Sequence, residues 1–429
     1  MAFAPGSIRA TGAMLAIALF ASSSQAAQDM APMAQPATPP AAVTVPPAGC
    51  PPGQVMDPAM KMCMSATSAA SAPAKRKPAV MIRINQFLAY SATSGPRGQE
   101  RVTGPGSWML MIDKDLTPRN RFSVSVMGSP EHYTVGSIGT PQLLQTENLD
   151  AMHAHDTLMA VEFRDTIKLG AANDQDLTLL FAPRGGAAFG PVPYMHRESA
   201  EGNPDSPLGH NMQDGFHDVS TVLGVAYRFG RTAFEATTFS GHDLTWPLPL
   251  HKLDSYAFRL THRINDGVTL GGSYADVLTP SDAGSGEHER FVAAWIASSH
   301  QLHTVRLRSS LVWGRAKAPH SRPQDSFLAE AVAQRGADNL FGRAELLQIT
   351  PDQLSLTDAG SSAPRWVGAM TLGYERALLR KGPLSLFAGG SLTRDFAPAA
   401  LDADYGRQPR GAKLFLRIKV GPTGDMSAM

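Results

Sequence analysis

From Val80 onward apolar and polar residues alternate with a period of two, and the 3.6-residue period of amphipathic helices is nearly absent. In 254–264, Tyr256, Phe258, Leu260 and Ile264 share one face, while Ser255, Ala257, Arg259, Thr261 and Arg263 share the other. Segment 304–314 opposes Val305, Leu307, Leu311 and Trp313 to Thr304, Arg306, Arg308 and Ser310. The final segment sets Leu414, Leu416, Ile418 and Val420 against Lys413, Arg417 and Lys419. Val219, Leu223, Val225, Tyr227 and Phe229 face away from Ser220, Gly224, Ala226 and Arg228. The same alternation predicts strands near 80–90, 106–113, 121–127, 157–168, 176–182, 218–229, 231–240, 254–264, 268–277, 289–299, 304–316, 325–333, 339–348, 365–378, 384–393 and 412–420.

Two architectures bury such strands. A water-soluble sandwich hides the apolar face and puts long charged residues outside; a membrane barrel turns the apolar face to lipid and keeps small and charged residues in a wet lumen. The polar faces here are rich in Gly, Ala, Ser, Thr and Arg, which favours the barrel. Short turns such as Phe229-Gly230-Arg231, Asn265-Asp266-Gly267 and Lys381-Gly382-Pro383 alternate with long loops at 183–217, 241–253 and 394–411, as in outer-membrane barrels. The expected fold is therefore all-β: an antiparallel transmembrane β-barrel over residues 80–420, of about sixteen strands, with 14 and 18 fitting nearly as well. A lumen of that size leaves an aqueous channel unless loops fill it.

The segments outside the barrel read differently. Residues 1–27 carry one charge, Arg9, then the apolar run Ala13 to Phe20 and small residues up to Ala26, the layout of a secretory signal peptide. Residues 28–79 form a Pro/Ala/Met-rich linker: the first 79 residues hold 12 of the 33 prolines and only two acidic residues, Asp29 and Asp57. Such a segment buries too little apolar surface to offset its ordering entropy, so a disordered N-terminal tail in the periplasm is expected. It contains the only two cysteines, Cys50 and Cys63. In an oxidising compartment a disulfide between them would close a short loop worth ~3 kcal/mol. The other reading starts from Met56, Met60, Met62 and Met64, which have no core to fill there and whose thioethers are soft ligands that select Cu(I). Residues 421–429 form a short C-terminal tail, so the last strand does not end the chain on an aromatic residue.

Composition agrees. Only 17% of the residues are charged, against a usual ~25%. Half of each membrane strand faces lipid and must stay uncharged, which accounts for the deficit. From residue 80 onward 33 basic residues face 35 acidic ones, a balance of −2 that provides no long-range field for nucleic acid. No stretch after residue 30 reaches the ~20 consecutive apolar residues of a membrane-spanning helix.

The stretch Leu180 to His217, LFAPRGGAAFGPVPYMHRESAEGNPDSPLGHNMQDGFH, resembles a loop of a family of uncharacterised proteobacterial outer-membrane barrel proteins, often encoded near copper and other heavy-metal resistance genes. Gly190, Pro191, His196, Arg197, Ser199, Ala200, Asn203, Pro204, Pro207, Leu208, Gly209, His210, Gln213, Asp214 and His217 match its pattern, and weaker likeness extends over roughly residues 105–420. The resemblance implies a barrel and a metal-resistance setting, and no reaction. Asn211 and Met212 stand where the family would carry His-Trp, which removes one potential metal ligand.

Seven of the 13 histidines fall between 153 and 251. With neighbouring carboxylates they suggest a site for Zn(II), Cu(II) or Ni(II) built from His153, His155, Asp156, His196, His210, Asp214 and His217. The competing reading is that these side chains hydrogen-bond a long loop into a constriction or plug. If the loops fold into the lumen, Arg197, Arg259, Arg306 and Arg308 set the field there, and the last three are the expected pore-lining residues. No G-x-S-x-G elbow, P-loop or H-E-x-x-H helix is present, so no catalytic residues are assigned.

The leading expectation is a non-enzymatic, porin-like channel of the bacterial outer membrane associated with copper and heavy-metal tolerance. It requires no cofactor, with copper the leading candidate among the metal ions. The expected partners are outer-membrane lipid, metal ions or small solutes, and further copies of the chain, with no nucleic acid. The alternatives are a plugged barrel acting as a metal-binding or scaffold protein and an outer-membrane hydrolase.

Overall fold

The computed structural model describes residues 54–57, 62–65, 78–170, 174–241, 250–279, 286–356 and 363–421. The signal segment, Cys50, Met60, most of loop 241–253 and residues 422–429 lie outside the described residues. Within the linker, Gln54–Asp57 and Met62–Ser65 pair as a short antiparallel hairpin that sets Met56 opposite Cys63.

Residues 79–420 form a closed antiparallel barrel of sixteen strands. The first eight are β1 (Ala79–Thr93), β2 (Glu100–Thr103 and Gly106–Thr117), β3 (Asn120–Gly128), β4 (Ala160–Leu169), β5 (Gln175–Gly185), β6 (Val219–Phe229), β7 (Thr232–Ser240) and β8 (Ser255–Asn265). Then come β9 (Val268–Thr279), β10 (Glu287–Leu302), β11 (Val305–Lys317), β12 (Gln324–Arg335), β13 (Asp338–Ile349), β14 (Arg365–Lys381), β15 (Leu384–Phe396) and β16 (Arg410–Val420). All sixteen predicted segments are strands. β2 breaks at Gly104-Pro105, because proline has no N–H to give the ladder. The barrel closes where β16 pairs with β1, from Gly411 opposite Thr93 to Val420 opposite Ile84.

The two faces part as the alternation predicts. Outward positions such as Leu372 (62% exposed), Leu392 (70%) and Leu414 (68%) stand bare, whereas the inward Arg417 is wholly buried. A leucine left in water forgoes ~1.5–3 kcal/mol of burial, so a continuous belt of them requires lipid. Glycines let inward aromatics lie flat on the wall. A Cβ on Gly271 would stand 2.0 Å from the Trp295 ring, and one on Gly389 would stand 2.8 Å from the Phe415 ring.

Short turns such as Asp266-Gly267 close one end of the barrel, which also holds both ends of the chain of strands. The long connections, 129–159 between β3 and β4, 186–218 between β5 and β6 and 397–409 between β15 and β16, all leave from the other end.

Candidate functional site

The β5–β6 loop turns into the lumen and fills it. Its ends are pinned by an aromatic cluster: Phe216 packs at 5.2 Å from Phe189 and 4.8 Å from Phe291 of β10. Its backbone then uses wall hydroxyls as partners. The Ala188 N–H donates to Thr237 Oγ1 of β7, and the Gly190 N–H to Ser273 Oγ of β9. Gly190 has φ +70°, and a Cβ there would meet the Gln213 carbonyl at 2.1 Å, so only glycine lets the two arms of the loop approach.

Acidic residues of the loop meet cationic residues of the wall. Glu198 pairs with Arg306 (3.3 Å), and Asp205 with Lys413 (2.6 Å). Glu201 pairs with Arg308 (2.6 Å), Arg417 (3.4 Å) and Lys419. At the centre, Arg197 is clamped between Asp214 of its own loop (2.7 Å) and Glu330 of β12 (2.5 Å), and Arg343 of β13 reaches the other Glu330 oxygen at 3.2 Å. All four of these groups are buried. The predicted lumen arginines thus face inward, but Arg306 and Arg308 hold the plug. Arg259 of β8 binds Glu235 on the neighbouring β7 (2.6 Å).

The β3–β4 connection forms a second insert. Glu131 is buried and accepts from the Gly106 N–H (2.7 Å) and the His155 N–H (2.7 Å), with His155 Nδ1 at 2.8 Å. Leu143 and Leu144 pack with Leu354, Leu401 and Tyr405 over the long-loop end. Arg97 ties this cover together through Asp150 (3.0 Å), the Leu354 carbonyl (2.8 Å) and the Tyr405 hydroxyl (3.0 Å).

Four of the predicted histidines come together where the inserts touch. The His217 ring lies 5.6 Å from His155 and 5.0 Å from His210, with His153 5.2 Å from His155. His210 Nδ1 is bonded to Asp214, and His217 Nδ1 lies 3.3 Å from the Asp214 carbonyl. The Nε2 atoms of His155 and His217 are buried without a hydrogen-bond partner. Two expected members are elsewhere: His196 turns to Met127 Sδ, and Asp156 pairs with Arg184. Among the described residues no group of three or more His, Cys, Asp or Glu is arranged to hold a metal ion. As placed, His155, His210 and Asp214 serve as hydrogen-bond and ion-pair partners within the inserts.

Their charges follow from the pairing. Burial opposes a charge on His155, but Glu131 overrides it and pushes the imidazole up to about 9. His210 is raised against its burial by Asp214, and Asp214 is lowered against its own burial by His210 and Arg197 to about 2. Burial pushes His217 down to about 4, with the charged His210 and His155 adding to the effect. A raised histidine contributes its full stability below its unfolded value of ~6.5 and loses it as pH rises through the folded one. The Glu131–His155 pair that folds the β3–β4 insert should therefore weaken between pH 6.5 and 9. Amide exchange over 129–159 should quicken across that range in the folded protein, and His155→Gln should flatten the dependence. An exchange rate that tracked only the intrinsic base catalysis would contradict this.

Sequence reasoning missed Glu131, Glu201, Glu330, Arg343 and Glu375. Glu131 and Glu201 lie in the inserts, where no periodicity marks them, while Glu330, Arg343 and Glu375 carried one local signal, an ionisable residue on an inward strand position.

No family model and no curated protein matches the chain. Among solved structures, OmpF of Salmonella typhi, in complex with daunomycin, is 8% identical with a TM-score of 0.50, over 79% of this chain and 97% of that one. The barrel is of the outer-membrane porin type. An anion-selective porin from Comamonas acidovorans (11% identity, TM-score 0.49) matches 80% of this chain and 100% of its own length. OprB of Pseudomonas putida (12% identity, TM-score 0.48) matches 80% and 94%. The interior of the present barrel, with its ion-paired plug, follows from its own sequence.

Proposed function

We propose that the chain is a porin-like channel of the outer membrane, closed here by its β5–β6 loop, and that it serves copper and heavy-metal tolerance. The observation that carries the channel reading is the inward row of cations, Arg306, Arg308, Lys413, Arg417 and Lys419, inside a barrel of porin size. Water-filled lumens carry such residues. The metal setting rests on the sequence resemblance and on the methionines of the tail. With the short turns towards the periplasm, the tail lies there too, since it enters the barrel at that end. Further copies of the chain are the expected partners within the bilayer.

Vesicles containing the folded protein should release a trapped small solute faster than empty vesicles. Vesicles that stay tight at every pH between 6 and 10 would overturn the channel. The second reading is a plugged scaffold, and the ion pairs closing the lumen favour it. Copper(I) titration separates the role of the tail. The chain with Met56, Met60, Met62 and Met64 changed to Leu should lose binding, and equal affinity would remove the tail from the account.

A further inference from the structure

Glu201 stands out among the plug residues. It is one carboxylate facing three buried cations on two separate walls, Arg308 of β11 and Arg417 and Lys419 of β16. Arg417 has a second buried carboxylate in Glu375 (2.9 Å). Arg308, by contrast, keeps its Nε and one terminal nitrogen buried with no hydrogen-bond partner. Buried donors of this kind cost free energy until an acceptor arrives. Beside Glu201 lies a narrow cavity of about 40 Å³ lined by Arg83, Asn85, Arg197, Arg417 and Lys419, with Glu131 at its edge already engaged by His155. A terminal nitrogen of Arg197 is also buried without a partner. Arg83 and Lys419 sit near the ends of β1 and β16, so the cavity occupies the short-turn half of the lumen.

We propose that this cavity binds a small anion of the carboxylate or phosphate class, and that Glu201 is its internal stand-in, occupying the cations until such an anion displaces it. The physical basis is charge and shape. Four cations, Arg83, Arg197, Arg417 and Lys419, line the space, arginine forks match two-oxygen acceptors, and the carboxylate already present shows that one oxyanion can face Arg417 and Lys419 together. Withdrawing Glu201 breaks three of the plug's contacts with the wall, which would couple anion binding to loosening of the loop. The inference rests on the plug and names the solute class of the proposed channel, but its test does not require conduction.

Isothermal titration of the full, detergent-folded chain with inorganic phosphate at constant ionic strength provides that test. Glu201→Gln keeps the shape and removes the competing charge, so it should bind phosphate about tenfold more tightly than the unaltered chain, because the competent state no longer has to be freed first. Lys419→Gln in the Glu201→Gln background should lose that gain, and Arg83→Gln provides a second loss should Lys419→Gln fail to fold. Heat-modifiable gel mobility reports whether each barrel is folded. Equal phosphate affinity in the unaltered chain and Glu201→Gln, or a double variant that still binds tightly, overturns the proposal. A chain that binds phosphate in this order but leaves vesicles tight retains the site and removes the channel. One that releases solute but binds no phosphate does the reverse.

Discussion

Arginine placed at Leu260 in the middle of β8, or at Leu416 in the middle of β16, should lower the stability of the vesicle-folded protein by about 2–4 kcal/mol each. Both leucines face outward and are about half exposed, so in a bilayer they meet hydrocarbon at its centre. Leu302, at the turn end of β10, is equally exposed but lies near the headgroups, where the same substitution should cost ~0–1 kcal/mol. Urea unfolding followed by fluorescence of the five tryptophans gives the three values. The depth profile is the informative part. Equal costs at the centre and the rim would mean that the apolar belt does not face lipid.

The second large effect is expected inside the barrel. Arg197→Met removes the cation held between Asp214 and Glu330 and leaves both carboxylates buried. Breaking one partner out of a buried ionic network costs about 3–5 kcal/mol. The penalty falls on the loop, because Arg343 still serves Glu330 and the strand ladder is untouched. The loop should leave the lumen while the barrel persists. Chymotrypsin, which cuts after aromatic residues, should then cleave within 186–218, at Phe189, Tyr194 or Phe216, in folded Arg197→Met and spare the unaltered chain. Arg197→Lys should fall between the two, since it keeps the charge but cannot bond both carboxylates as a fork. Equal resistance in Arg197→Met would place the closure elsewhere.

The fold was legible because a membrane strand writes its environment into every second residue. Leu414, Leu416 and Ile418 against Lys413, Arg417 and Lys419 gives the lipid side and the lumen side of β16 without further information. The loop was legible as a unit, since its Gly, Pro, His and Asp residues break the alternation and form a continuous motif. Its destination was not. Glu201 joins Arg417 across 216 residues and Arg197 joins Glu330 across 133, and no local pattern records such pairings. The β3–β4 insert escaped notice for the same reason, its central pair, Glu131 and His155, being separated by 24 residues of irregular chain. Adjacency misled in one place: Asp156 follows His155 in sequence yet turns to Arg184.

The barrel is of porin type, and its own ion-paired loop fills the lumen of the channel proposed above. Planar-bilayer recording of the unaltered chain beside Arg197→Met tests that proposal most directly. The account predicts small or infrequent steps for the unaltered chain at pH 7, and larger, long-lived steps once Arg197 no longer holds the loop. Current traces without steps for both proteins, with both barrels shown to be folded, would contradict it.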